Sequence, residues 1–133
     1  MKEYNIIISD RNEISKVETL IFEINNEFKA DEMKYVNFLI AVTEACVNAI
    51  VHGNKNNPSK KVYVNLLYDD TIFCVKVKDE GEGFDIKKIP DPTTEENLFK
   101  ESGRGLFLIR SLVDKVEVVS STTGTLIVMT MIK

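Results

Sequence analysis

Glu44 and Asn48 stand four residues apart in a stretch, 38–51, whose only other polar residue is Thr43. Residues four apart on a helix differ by about 40° around the axis, so a carboxylate and a carboxamide would project side by side from one face. In isolation the pair reads as a Glu that caps a neighbouring loop and an Asn that satisfies backbone, because buried polar groups are as a rule hydrogen-bonded. A charge among Ala, Val, Ile and Cys is costly unless something pairs with it. The pair therefore gains meaning only from other residues brought to it.

Two further segments offer them. In "DEGEGFD", residues 79–85, Asp79 follows a strand whose inward phase is Phe73, Val75 and Val77, so its carboxylate turns to the same side, while Gly81 and Gly83 leave backbone bare. An acceptor flanked by bare backbone suits an exocyclic amine. An acidic turn with conformational glycines and a calcium loop are the alternatives, though the EF-hand pattern fails because positions 81 and 83 are Gly. Gly103, Arg104 and Gly105 precede a helix that begins near Leu106. Unpaired N–H groups and the positive end of the dipole would make an anion site there, and a flexible hinge reads the same way. Neither the P-loop nor the dinucleotide pattern G-x-G-x-x-G after a strand is matched.

The elements that must position these residues follow from periodicity. A short strand covers 4–9. Asp10 and Glu13 form a capping box before Ile14, Val17, Leu20, Ile21, Ile24 and Phe28 at helical spacing. Asp31 can cap a second helix that runs to about His52 and stops at Gly53. Val62, Val64, Leu66 and Tyr68 alternate with Lys61, Tyr63, Asn65 and Leu67, and a turn at Asp69-Asp70 returns the chain as a second strand. Residues 80–104 lose all periodicity, and a long irregular segment in a compact domain is usually functional. Leu106, Ile109, Leu112 and Val113 restore a helix, and a last hairpin turns at 122–124. Runs of strands rather than strict βα alternation predict an α+β two-layer sandwich, helices on one face of a mixed, mostly antiparallel sheet.

At 133 residues and 44% hydrophobic, the chain fits one domain, 1–133, with a core that needs neither disulfide nor metal. Its 17 basic and 21 acidic residues are mixed, so no basic stripe invites direct nucleic-acid binding. No apolar signal region opens the chain and no uninterrupted run of about 18 apolar residues offers a membrane span, which makes the expected location cytoplasmic. Cys46 and Cys74 read as small buried hydrophobes, and a single histidine, His52, excludes a His-rich metal site.

The three segments in this order and spacing resemble the anti-sigma factor serine-protein kinases, small bacterial regulators of the GHKL ATPase superfamily, over nearly the full length. "EACVNAIVHG" at 44–53 is similar to the N box, "DEGEGFD" to the first glycine box, and "SGRGLFLIRSLVD" at 102–114 to the second. The resemblance implies the Bergerat-type ATPase fold with ATP and Mg²⁺ as cofactors. It implies that Asn48 coordinates Mg²⁺, that Asp79 accepts from the adenine amino group, and that Gly81, Gly83, Gly103 and Gly105 shape the pocket and its lid. Glu44 would be the general base on an attacking hydroxyl. Residues 85–102 would form the lid, Arg104 would touch phosphate or point to solvent or a partner, and Thr125 is a lesser candidate for adenine contact through water; His52, four residues past Asn48, either supports the site or simply caps the helix end.

Some relatives carry Arg before the Ser-Gly of the second glycine box; here Glu101 stands there, with Lys100 before it and Arg104 after as substitutes. The implied function is an ATP-dependent serine/threonine-protein kinase that sequesters a sigma factor and phosphorylates a STAS-domain anti-anti-sigma antagonist, with homodimerisation common among relatives. The absence of a preceding phosphoacceptor helix pair or a following transducer domain argues against a histidine kinase or a topoisomerase. The rival reading is a nucleotide-dependent protein-binding module without kinase turnover.

Overall fold

A computed structural model describes residues 1–81 and 104–133. Five strands, β1 (Lys2–Ile8), β2 (Val62–Tyr68), β3 (Ile72–Lys78), β4 (Lys115–Ser121) and β5 (Gly124–Ile132), form one sheet in the order β1-β2-β3-β5-β4. The helices are α1 (Ile14–Phe28), α2 (Glu32–Val47) and α3 (Arg104–Leu112). The α+β class is as expected, but every neighbouring strand pair is antiparallel rather than mixed. The reason lies in the connections. α1 and α2 carry the chain out and back, so β2 begins opposite the end of β1, Val62 facing Ile8, and tight turns join β2 to β3 and β4 to β5.

The first helical turn is set by the capping box. Asp10 Oδ1 accepts from the Asn12 N–H (2.7 Å), and Glu13 Oε1 accepts from the N–H groups of Ser9 (2.9 Å) and Asp10 (3.2 Å). The Ser9 N–H and hydroxyl, then Lys16 and Asp10, hold the Glu13 carboxyl down at about 2. α1 ends on Lys29 in the left-handed conformation (φ 57°), and Asn25 Oδ1 accepts the next N–H, that of Ala30, at 3.0 Å. Asp31 stands at the N-cap of α2 as expected, but its side chain makes no capping bond; its backbone carbonyl instead takes the Tyr35 N–H (2.9 Å).

Alternation decides the core. Val62, Val64, Leu66 and Tyr68 of β2 and Phe73, Val75 and Val77 of β3 point under the helices and are buried. They meet Val17, Ile21, Ile24 and Phe28 of α1, Phe38, Ala41, Val42 and Ala45 of α2, and Leu106 and Ile109 of α3. Phe73 anchors this layer, its ring 5.0 Å from Phe38 and 5.8 Å from Phe28. Full burial of one such side chain contributes about 1.5–3 kcal/mol.

α2 is the middle helix, packed against α1 and α3 above the sheet. With the turn that follows, it forms a 22-residue helical segment, Glu32–Gly53, long and apolar enough to cross a membrane by length and composition. The segment is not an unbroken apolar run, since Thr43, Glu44 and Asn48 interrupt it. In this fold part of the apolar character is used inward, with Phe38, Ala41, Val42, Ala45 and Cys46 buried, while Met33, Val36 and Ile40 are exposed.

Candidate functional site

At Asn48 the winding of α2 loosens. Residues Asn48–Gly53 form one turn of π-helix, closed by the Asn54 N–H donating to the Ala49 carbonyl at 2.8 Å. Such turns are costly in isolation and recur at functional sites. This one separates two groups of residues, one at each of its ends.

At its start lie Glu44 and Asn48. Both face the N-terminus of α3, as Gly105 shows: a Cβ there would fall 2.3 Å from Asn48 Nδ2 and 2.8 Å from Glu44 Oε1. Only a residue without a side chain lets α3 approach this closely. Asn48 is buried, and its Nδ2 has no hydrogen-bond partner among the described residues. A buried amide left open is rare and points to a ligand. Glu44 is half-buried, not enclosed as its apolar neighbours suggested.

At the end of the turn lies Asp79, buried, continuing the inward phase of β3. Its Oδ1 accepts two backbone N–H groups, from Gly81 (2.9 Å) and Thr125 (3.1 Å), and its own N–H donates to the Thr125 carbonyl (3.1 Å). Oδ2 faces Gly53, where an added Cβ would come within 2.2 Å of it. One oxygen is thus fixed by backbone, and the other takes no hydrogen bond among the described residues. Gly81 proves to be bare for the sake of Gly53, whose carbonyl lies 2.0 Å from where a Gly81 Cβ would be. Thr125 joins the site through its backbone, while its hydroxyl pairs with Ser120 at 3.1 Å.

The structure therefore brings together Glu44, Asn48 and Gly105 in one group and Asp79, Gly81 and Thr125 in another. His52 is exposed at the far end of the π turn. Gly83, Gly103, Lys100, Glu101, the expected lid and the side chain of Arg104 lie outside the described residues. The sequence reading missed Gly53 as the surface under Asp79, and Asn54 altogether; the only signal was a glycine four residues beyond Ala49, read as a helix stop.

The residues present fit an adenine nucleotide with its metal. Asp79 Oδ2 offers an acceptor on a rigid floor, α3 offers a helix N-terminus for phosphate, and the open amide of Asn48 lies beside it. No cluster of three His, Cys, Asp or Glu side chains able to hold a metal by itself exists among the described residues. A cation here would share Asn48 with its ligand's phosphates.

The model of the histidine kinase-like ATPase domain matches residues 9–131. An anti-sigma F factor of Oceanobacillus iheyensis is 31% identical over 126 residues, 92% of this chain and 85% of that protein. The chain belongs to the anti-sigma factor group of the histidine kinase-like ATPases. A second relative, the anti-sigma F factor of Geobacillus sp. strain WCH70, is 30% identical over 116 residues, covering 85% of this ATPase domain and 77% of that protein. Among solved structures, the RsbU and RsbW domains of Rv1364c from Mycobacterium tuberculosis superpose with a TM-score of 0.71 at 19% identity, over 98% of this chain and 32% of that one. The histidine kinase domain of a blue-light activated kinase from Erythrobacter litoralis gives a TM-score of 0.58 at 17% identity, over 98% of this chain and 68% of that one. Both share the fold of this ATPase domain.

Proposed function

We propose that residues 1–133 form one ATPase domain acting as an anti-sigma factor with serine/threonine-protein kinase activity. It would sequester a sigma factor and transfer the γ-phosphate of ATP to a STAS-domain antagonist, as a cytoplasmic protein and by analogy a homodimer. The observation that carries this reading is the meeting of Glu44, Asn48 and Gly105 at the start of α3, with the adenine-type acceptor Asp79 beyond the far end of the π turn. The relatives, anti-sigma F factors, support the sigma-factor part.

In this mechanism Asp79 Oδ2 would accept from the adenine amino group, and Gly53, having no side chain, leaves room for that carboxylate. Asn48 would hold Mg²⁺ together with the phosphates, and the metal when bound neutralises phosphate charge. The first N–H groups of α3 receive phosphate oxygens. Glu44, half-buried beside them, accepts the proton of the antagonist's Ser or Thr hydroxyl. That oxygen then bonds to the γ-phosphorus, the bond from phosphorus to the β–γ bridging oxygen breaks, and ADP departs with those electrons. The phosphate added to the antagonist introduces about two negative charges, which weakens its rebinding.

The test is Glu44→Gln. With labelled ATP and a STAS-domain antagonist from the same genome, the wild type should label a Ser or Thr. The variant should lose about 10²–10⁴-fold in rate while keeping its ATP affinity. Equal labelling by both would remove Glu44 as the base of a kinase; no labelling by the wild type despite tight ATP binding would leave a nucleotide-dependent binding module in place of a kinase.

A further inference from the structure

The π turn delivers a second polar residue to the site. Asn54 follows Gly53 directly and is 3% exposed, one of three buried polar or charged residues among those described, with Asn48 and Asp79. Every polar group it owns is engaged. Its N–H donates to the Ala49 carbonyl (2.8 Å), and its carbonyl accepts from the Asn57 N–H (3.0 Å). Its Oδ1 accepts from the Glu80 N–H (2.8 Å), and its Nδ2 donates to the Lys61 carbonyl (3.0 Å). The Glu80 carboxylate closes the triangle by accepting the Lys61 N–H.

The bond to Glu80 matters most. That N–H belongs to the same rigid peptide plane as the Asp79 carbonyl. Holding it fixes ψ of Asp79, and with it the direction from which the Gly81 N–H returns to Asp79 Oδ1. Thr125 fixes the carboxylate from the β5 side. Asn54 fixes it from the helix side, and it stands one residue beyond Gly53, the residue against Oδ2. We infer that Asn54 is a positioning residue for adenine recognition: it locks the peptide after Asp79 so that Oδ2 is aimed at the exocyclic amine. The inference rests on the proposed binding of adenine at Asp79. A residue serving only to close the turn at 54–61 would have no need to reach Glu80.

The test separates aim from stability through a ratio. Affinities for ATP and for the purine nucleoside triphosphate that carries hydrogen in place of the 6-amino group are measured by calorimetry, with Mg²⁺, on the wild type, Asn54→Ala, Asp79→Asn and the double variant. All are kept at a temperature where circular dichroism shows them folded. A hydrogen bond to a carboxylate gives the wild type about a ten- to hundredfold preference for ATP. Asn54→Ala should lower that preference at least fivefold, and in the Asp79→Asn background it should change the ratio no further. A merely structural role weakens both nucleotides alike and leaves the ratio unchanged; that outcome overturns the inference while adenine recognition stands. A wild type that binds both triphosphates equally, or neither, overturns the adenine reading and the inference with it. Should Asn54→Ala fail to fold, Asn54→Ser, too short to reach Glu80, is read by the same ratio.

Discussion

Replacing Gly105 by Ala puts the assembly of the site to a quantitative test. The new Cβ would lie 2.3 Å from Asn48 Nδ2, 2.9 Å from Asn48 Oδ1 and 2.8 Å from Glu44 Oε1. Ordinary contact for a Cβ begins at 3.4 Å, so either α3 retreats or the amide turns away by about 1 Å. Two effects on stability oppose each other. Ala exceeds Gly in helix propensity by up to about 1 kcal/mol, whereas overpacking costs about 1–3, leaving a net loss of about 0–2 kcal/mol. That is a few degrees in Tm. Function should suffer far more, because displacing a binding group by about 1 Å can cost roughly a hundredfold. Calorimetric titration with MgATP, beside a thermal melt, reads both. MgATP affinity within threefold of wild type, with Tm unchanged or higher, would refute the claim that α3 and the Glu44–Asn48 face form one site.

Acid should weaken the entry to α1. The Glu13 carboxyl, held at about 2 against an ordinary 4.5 chiefly by the Ser9 N–H and hydroxyl, contributes stability that is complete above about 4.5 and lost as pH falls toward 2. The stability of Glu13→Gln should therefore fall less steeply than that of the wild type across that window in urea titrations. The two thiols should react unequally: burial pushes Cys46 up to about 12, so in the native protein a disulfide reagent at pH 8 should modify half-buried Cys74 first and Cys46 only on unfolding.

Much of this arrangement was legible in the residues themselves. The alternation of Phe73, Val75 and Val77 told which way Asp79 would face, because a strand has only two faces and one of them is apolar. The four-residue step from Glu44 to Asn48 told that both would share a side, and the capping box at Asp10–Glu13 located the start of the first helical turn. What escaped were features written across distance. The π turn is not marked by any local pattern. The importance of Asn54 lies in partners 7 and 26 residues away, Lys61 and Glu80, which no periodicity connects. Nor does an apolar sequence neighbourhood tell that Glu44 is only half-buried.

The most direct test of the account is thermal unfolding of the wild type and of Asp79→Asn, each with and without MgATP. Ligand at about 100 times its Kd should stabilise the wild type by about 2.7 kcal/mol, roughly 10 °C in Tm for a domain of this size, and the shift should vanish in Asp79→Asn. An equal shift in both proteins, or none in either, would contradict the assignment of adenine to Asp79.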